Sequence, residues 1–124
     1  DILEANAFLL DKHAERRVEG VVENSTIDGR VIVERGAVIK NSVVRGPAYI
    51  GRGTKITNSY VGPFTSIGDN CEITDSEIEH SVVLDNVKIR GVYLMDSLIG
   101  NNSTVEKGGR WQKLVIGENS SVVL

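Results

Sequence analysis

The chain of 124 residues carries only two histidines, His13 and His80, and one cysteine, Cys71. These are the residue types that most often act as bases, nucleophiles or soft metal ligands. His80 lies in the run Ile78-Glu79-His80-Ser81-Val82-Val83 and is expected to point outward near a turn. It is the single candidate for a general base acting on a hydroxyl or amine. The plainer reading is a surface histidine bonded to a neighbouring segment. A zinc centre of the three-histidine kind is excluded on count. Cys71 sits two residues before Ile73, where it reads as a buried, inert small hydrophobe rather than a nucleophile.

The segment Glu106-Lys107-Gly108-Gly109-Arg110-Trp111-Gln112-Lys113 holds the only Trp, a Gly-Gly pair and several cations. Its composition suits a loop that grips a phosphate or a partner chain. It equally suits a structural irregularity whose Trp covers the end of the core, since terminal repeats are atypical. Several chemistries are missing from the sequence. There is no glycine-rich phosphate loop followed by basic residues, no paired-carboxylate metal site, no dinucleotide fingerprint and no outward threonine array. The net charge of −3, with Lys and Arg scattered, offers no footprint for nucleic acid or an anionic membrane. No stretch approaches the roughly 20 apolar residues of a membrane span. With no signal peptide and a lone cysteine, a cytoplasmic protein without an internal disulfide is expected.

Two kinds of element must position these residues. Residues 1–17 read as a helix. Asp1 caps it, with Glu4 three residues later in a capping-box arrangement. Leu3, Ala7, Leu10 and Ala14 share one face, Ile2 and Leu9 widen it, and Arg16 and Arg17 fall where a helix C-terminus favours cations. The chain opens at Asp1 inside this helical pattern, so it is expected to be part of something longer.

From Val21 onward helical periodicity gives way to aliphatic residues every five or six positions. They are Val21, Ile27, Val33, Ile39, Val44, Ile50, Ile56, Val61, Ile67, Ile73, Ile78, Leu84, Ile89, Leu94, Ile99 and Val105, with Ile116 and Val122 after the irregular stretch. Two positions before nearly every one stands a small residue or Val, from Ser25 and Val31 through Cys71 and Val82 to Ser103 and Ser120. Internal repeats this short mark a solenoid. Steps of six, six and five make a coil of 17 residues and a triangular prism. Ile27, Val44, Val61 and Ile78 should stack, as should Val33, Ile50, Ile67 and Leu84, and Ile39, Ile56, Ile73 and nearly Ile89. Gly51, Gly62, Gly68, Gly100 and Gly117 supply permissive backbone at corners, and Pro47 and Pro63 take turn positions. Asn24-Ser25, Asn41-Ser42, Asn58-Ser59 and Asp75-Ser76 recur at one corner as a structural polar ladder.

The small/aliphatic hexapeptide spacing resembles the left-handed parallel β-helix; the hand comes from that resemblance, because the general crossover rule is right-handed. A more specific likeness rests on Asp1-Ile2-Leu3-Glu4-Ala5-Asn6, Leu9-Leu10-Asp11 and Arg16-Arg17-Val18-Glu19-Gly20. It continues through Asn41-Ser42, Arg45-Gly46-Pro47, Asn58-Ser59-Tyr60-Val61-Gly62-Pro63-Phe64-Thr65-Ser66-Ile67-Gly68, Ile78-Glu79-His80-Ser81 and Asp96-Ser97-Leu98-Ile99-Gly100. Over essentially the whole chain, this ordered set resembles the C-terminal portion of long-type glucose-1-phosphate thymidylyltransferases. The resemblance implies a parent with an N-terminal domain that binds dTTP, Mg²⁺ and glucose 1-phosphate and releases pyrophosphate. That domain's glycine-rich motif, catalytic Lys and metal-binding Asp have no counterpart here, so no catalytic, cofactor or metal residue carries over.

Three functional expectations follow. In the first, residues 1–17 are a linker helix from a catalytic domain and 18–124 a non-catalytic left-handed β-helix that assembles or stabilises the parent, as a homo-oligomer with a trimer favoured. In the second, the chain is a hexapeptide acyltransferase module that uses His80 and an acyl-CoA, although no long inserted loop walls an acceptor site. The third is a regulatory or lattice-forming solenoid with no connection to sugars.

Overall fold

The computed structural model of the chain describes residues 1–13, 15–107 and 111–123. One helix, Ile2–His13, precedes twenty short strands. The strands form three parallel sheets, the faces of a triangular prism. The first face runs from Arg17–Val18 through Val31–Val33, Ala48–Ile50, Thr65–Ile67, Val82–Val83 and Leu98–Ile99 to Val115–Ile116. The second runs from Val21–Glu23 to Ser121–Val123, and the third from Thr26–Asp28 to Trp111–Gln112. This is the parallel β-helix of hexapeptide type expected from the repeat, about six turns long.

Three-residue strands hold together because each sets an aliphatic residue on the axis, the middle one on the second and third faces and the last one on the first. Ile39, Ile56, Ile73, Ile89 and Val105 stack in register down the second face. All five are essentially sealed from solvent. The small residue two positions earlier is buried too, since only a short side chain fits where two faces meet; Ala37, Thr54, Cys71, Val87 and Ser103 fill one such column. Where that residue is Ser or Thr, its hydroxyl is part of the backbone ladder. Ser42, Ser59 and Ser76 each donate to the carbonyl two residues back, at 2.7, 2.8 and 2.9 Å. They accept the N–H of Ser59, Ser76 and Val92 one turn on, at 3.0, 3.2 and 3.2 Å. The Asx-Ser corner is therefore structural turn chemistry. Asn24, Asn41, Asn58 and Asp75 all adopt left-handed backbone, and Gly91 and Lys107 take the same place in later turns. Asn24 Nδ2 donates to Asn41 Oδ1 at 2.6 Å.

Several details of the expected register change. The coil shortens from 17 to 16 residues partway along, because His80 turns the corner with one residue fewer than Pro63-Phe64 one turn earlier. Val83, not Leu84, therefore stacks on Ile67. Val83 is 1% exposed and Leu84 39%. Ser81, not Val82, is the small residue of that step, and Ile89 falls fully into register. At the other end Val22 pairs with Ile39 and packs on the core, leaving Val21 outside. Gly51 is required by close approach rather than by conformational freedom: a Cβ there would lie 2.4 Å from the Gly68 backbone one turn away.

The break after Glu106 does not end the solenoid. Trp111–Gln112 pairs with Tyr93 and Leu94, and strands on the other two faces follow it. Residues 108–110 of that segment, and the Trp111 side chain expected to cover the last coil, lie outside what is described.

The helix begins as anticipated, with Asp1 Oδ1 accepting the Glu4 N–H at 2.8 Å. It ends at His13 rather than near residue 17. Arg17 opens the first strand, paired with Ile32, and Arg16 reaches across to donate to the Ile27 and Gly29 carbonyls at 3.0 and 3.3 Å. Backbone carbonyls thus hold Arg16, and the carboxylates of Glu19 and Glu34 hold Arg17, in place of a helix terminus. Leu3, Ala7 and Leu10 are half-buried as expected, whereas Ile2 and Leu9 face solvent; Ala14 is not among the described residues. The helix lies on the outside of the first face, over Thr65–Ile67 and Val82–Val83.

Candidate functional site

The corner between the third and first faces carries one side chain per turn in left-handed conformation: Phe64, His80 and Asp96. Histidine and aspartate tolerate this region better than most non-glycine residues. The backbone is fixed from inside, His80 N–H donating to the Pro63 carbonyl at 3.0 Å. One turn on, Asp96 Oδ1 lies 2.5 Å from His80 Nδ1, and Lys113 Nζ lies 3.5 Å from Asp96 Oδ2. One turn back, the Phe64 ring meets the imidazole edge-on, centroids 6.4 Å apart. The bond from His80, with the charge of Lys113 beyond it, holds the Asp96 carboxyl below the usual carboxylate range.

That arrangement makes Nδ1 the nitrogen turned to a carboxylate and leaves Nε2 as the one able to take a proton from a bound hydroxyl or amine. His80 is thus half-buried and bonded to a neighbouring turn, the plainer of its two expected states, in a geometry that also orients it. The structure does not bring the other candidates to this corner. His13 closes the helix, and its side chain lies outside the described residues. Cys71 points into the core between Thr54 and Val87, and burial pushes its thiol up to about 11. Its sulfur sits 3.0 Å from the Leu84 carbonyl, so it acts as the small inward residue of its turn. Among the described residues no group of three or more His, Cys, Asp or Glu side chains converges to hold a metal, and no helix is long and apolar enough to cross a membrane.

Two clusters went unread in the sequence. Asn6 donates from Nδ2 to the Phe64 carbonyl at 3.2 Å and accepts the Ser66 hydroxyl at Oδ1, 2.6 Å. Further down the helix, Arg30 donates to the Asp11 carbonyl at 2.7 Å. The helix therefore runs back along the prism with its N-terminal half seated beside the His80 corner. A signal was available: Asn6 is the polar residue on the stripe made by Leu3, Ala7 and Leu10. The second cluster pins the first strand. Arg17 bonds Glu19 and lies 3.1 Å from Glu34 Oε1, while the Tyr49 hydroxyl donates to Glu34 Oε2 at 3.0 Å. Burial, then the bond to Glu34, pushes the Tyr49 phenol up to about 12.

Among solved structures the chain is similar to a Bacillus cereus protein assigned as an acetyltransferase, with 11% identity, TM-score 0.42, and 83% of this chain and 73% of that one covered. It is also similar to a hexapeptide transferase family protein from Anaplasma phagocytophilum, with 20% identity, TM-score 0.43, and 85% and 75% covered. At that distance neither bears on activity. Comparison with curated protein sequences returned no significant match. The profile of the GMPPB C-terminal domain matches residues 44–123, most of the β-helix including the His80 corner. The chain belongs to the GMPPB C-terminal domain family, a β-helix domain found in sugar nucleotidyltransferases.

Proposed function

We propose that the chain is the non-catalytic β-helix domain of a cytoplasmic glucose-1-phosphate thymidylyltransferase, which assembles or stabilises a parent that makes dTDP-glucose and pyrophosphate from dTTP and glucose 1-phosphate. The observation that carries the reading is the seat of the helix on the solenoid. Asn6 ties it to Phe64 and Ser66, and Arg30 ties its last turn. A helix bonded at both ends to the β-helix is a fixed shoulder on which a preceding domain can be oriented. The nucleotide, the sugar phosphate and Mg²⁺ belong in this reading to that preceding domain, and no residue described here is assigned to them. The third face, with Val43, Tyr60, Glu77 and Tyr93 in one outward row, supports side-by-side homo-oligomers, a trimer being favoured. The test is to express the gene's full product and compare dTTP, GTP and UTP as partners of glucose 1-phosphate. Preference for dTTP is expected; preference for another nucleotide would refute the thymidylyl assignment. Light scattering of the product should exceed the monomer mass.

A second reading, acyl transfer from an acyl-CoA with His80 as base, is favoured by one observation, the carboxylate of Asp96 on Nδ1. Acetyl transfer to an amino sugar phosphate, lost in His80→Ala and weakened in Asp96→Asn, would establish it. No transfer over a broad acceptor panel would retire it.

A further inference from the structure

The helix covers only part of the first face. The outward row of that face passes from Ser66 through Val82 and Leu98 to Val115, one residue per turn. Under the helix Val82 is 7% exposed, although its side chain points away from the axis. Beyond the helix the row stays apolar while the cover stops. Leu98 is half-buried, and Val115, at 81%, is the most exposed large apolar side chain among the described residues. On the second face the outward row of the same turns is Glu72, Lys88, Thr104 and Ser121, the polar pattern of a sheet that meets water. The first face thus keeps the composition of a covered surface past the point where its cover ends.

The direction of the helix shows what adjoins those positions. Asn6 is bonded at Phe64 and Ser66, and Asp11 at Arg30, on an earlier turn. The N-terminus of the helix therefore points toward the later turns and Leu98. Ile2, in its first turn, is 57% exposed. Asp1 caps that end by accepting the Glu4 N–H at 2.8 Å. A capping residue has left helical backbone, so the chain before it turns aside instead of extending the helix. Along one edge of Leu98 and Val115 stand Asp96 and Lys113, paired at 3.5 Å. Along the other, Gly100 and Gly117 leave the corner without side chains, where another surface can come close.

We infer that the first face from Leu98 to Val115, together with Ile2, is the docking surface of the domain that precedes the helix in the parent protein, which meets it with apolar side chains. The contact continues the interface that already buries Val82, and the Asp96–Lys113 pair forms its polar rim. Strong affinity is not required, because a domain joined to the helix is held at an effective concentration on the order of millimolar. This docking rests on the reading of the chain as the C-terminal domain of a nucleotidyltransferase, and it places the preceding domain on a particular surface.

The experiment is carbene photolabelling of the chain alone and of the full-length parent, read by peptide mass spectrometry at Leu98 and Val115. Val123, 70% exposed and outward on the second face, is the internal reference. Val115 should label readily in the chain alone and at least about fivefold less in the parent, with Val123 unchanged. Val115→Asp, at a site that stands in water in the chain alone, should leave that chain's Tm where it was and raise labelling of Leu98 in the parent. Equal labelling of Val115 in the two proteins, or Leu98 still protected in the Val115→Asp parent, would overturn the inference. So would protection of Val115 in the chain alone that deepens with protein concentration, which would assign the face to a second copy. Nucleotidyl transfer by a parent whose Val115 stays exposed would overturn the docking alone; a parent with no such transfer would refute the reading beneath it.

Discussion

Ser59→Ala tests whether the hydroxyl column holds the solenoid's turns together or merely fills space. Ser59 is buried; its Oγ donates to the Thr57 carbonyl and accepts the Ser76 N–H. Alanine keeps nearly the same volume but leaves the Ser76 N–H without a partner inside the wall of the prism. An orphaned buried donor costs about 1–3 kcal/mol, and the lost bond to Thr57 adds about 0.5–1 kcal/mol. A total of about 2.5 kcal/mol corresponds, at about 4 °C per kcal/mol for a chain of this length, to a Tm lower by about 10 °C. Ser25 makes the same two bonds, to Glu23 and Ser42, but at the half-exposed first turn. There water replaces the hydroxyl, and Ser25→Ala should cost less than about 1 kcal/mol. The assay is paired urea and thermal unfolding of both variants. If Ser59→Ala cost no more than Ser25→Ala, the column would be filler and the reasoning wrong.

Three further outcomes follow from the same geometry. Val83→Asp should abolish cooperative unfolding seen by circular dichroism, because it places an unpaired carboxylate on the axis, whereas Leu84→Asp should cost under about 1 kcal/mol; the reverse order would restore the register the spacing first suggested. Asn6→Ala should speed hydrogen exchange across residues 2–13 at least about tenfold while barely moving the solenoid's Tm, since it cuts both bonds that seat the helix's N-terminal half. Cys71, whose folded-state thiol lies near 11, should resist thiol reagents at pH 8 and react only on unfolding. Because that value is raised, the thiol's contribution to stability is complete below the ordinary thiol range and fades as pH rises through about 11, so Cys71→Ala should flatten the alkaline limb of a stability–pH curve.

Much of the fold could be read because each turn repeats the same demand. A residue on the axis of a narrow prism must be aliphatic, and its neighbour at the corner must be small, so Ile39, Ile56 and Ile73 declare themselves. The reading slips where the chain satisfies two registers at once. Ser81-Val82-Val83-Leu84 offers either Val82 with Leu84 or Ser81 with Val83 as the small and inward pair. Spacing alone does not decide between them; the length of the His80 corner does. The same shortening hid the site. In an unbroken 17-residue coil His80 would lie over Ser97, and only the 16-residue turn brings Asp96 to its Nδ1. His80 was visible as a residue type, but its partner was not. Asn6 was passed over because a single polar residue on an apolar stripe says little until its acceptors, Phe64 and Ser66, are seen sixty residues away in sequence and adjacent in space.

The central claim, a β-helix that serves an enzyme without performing its chemistry, is tested most directly by turnover. The chain should be incubated alone with dTTP, Mg²⁺ and glucose 1-phosphate, then joined to the nucleotidyltransferase domain proposed for its parent, with pyrophosphate release followed in both. The account predicts no release from the chain alone and release from the joined protein. Pyrophosphate from the chain alone, or no difference between the two, would contradict it.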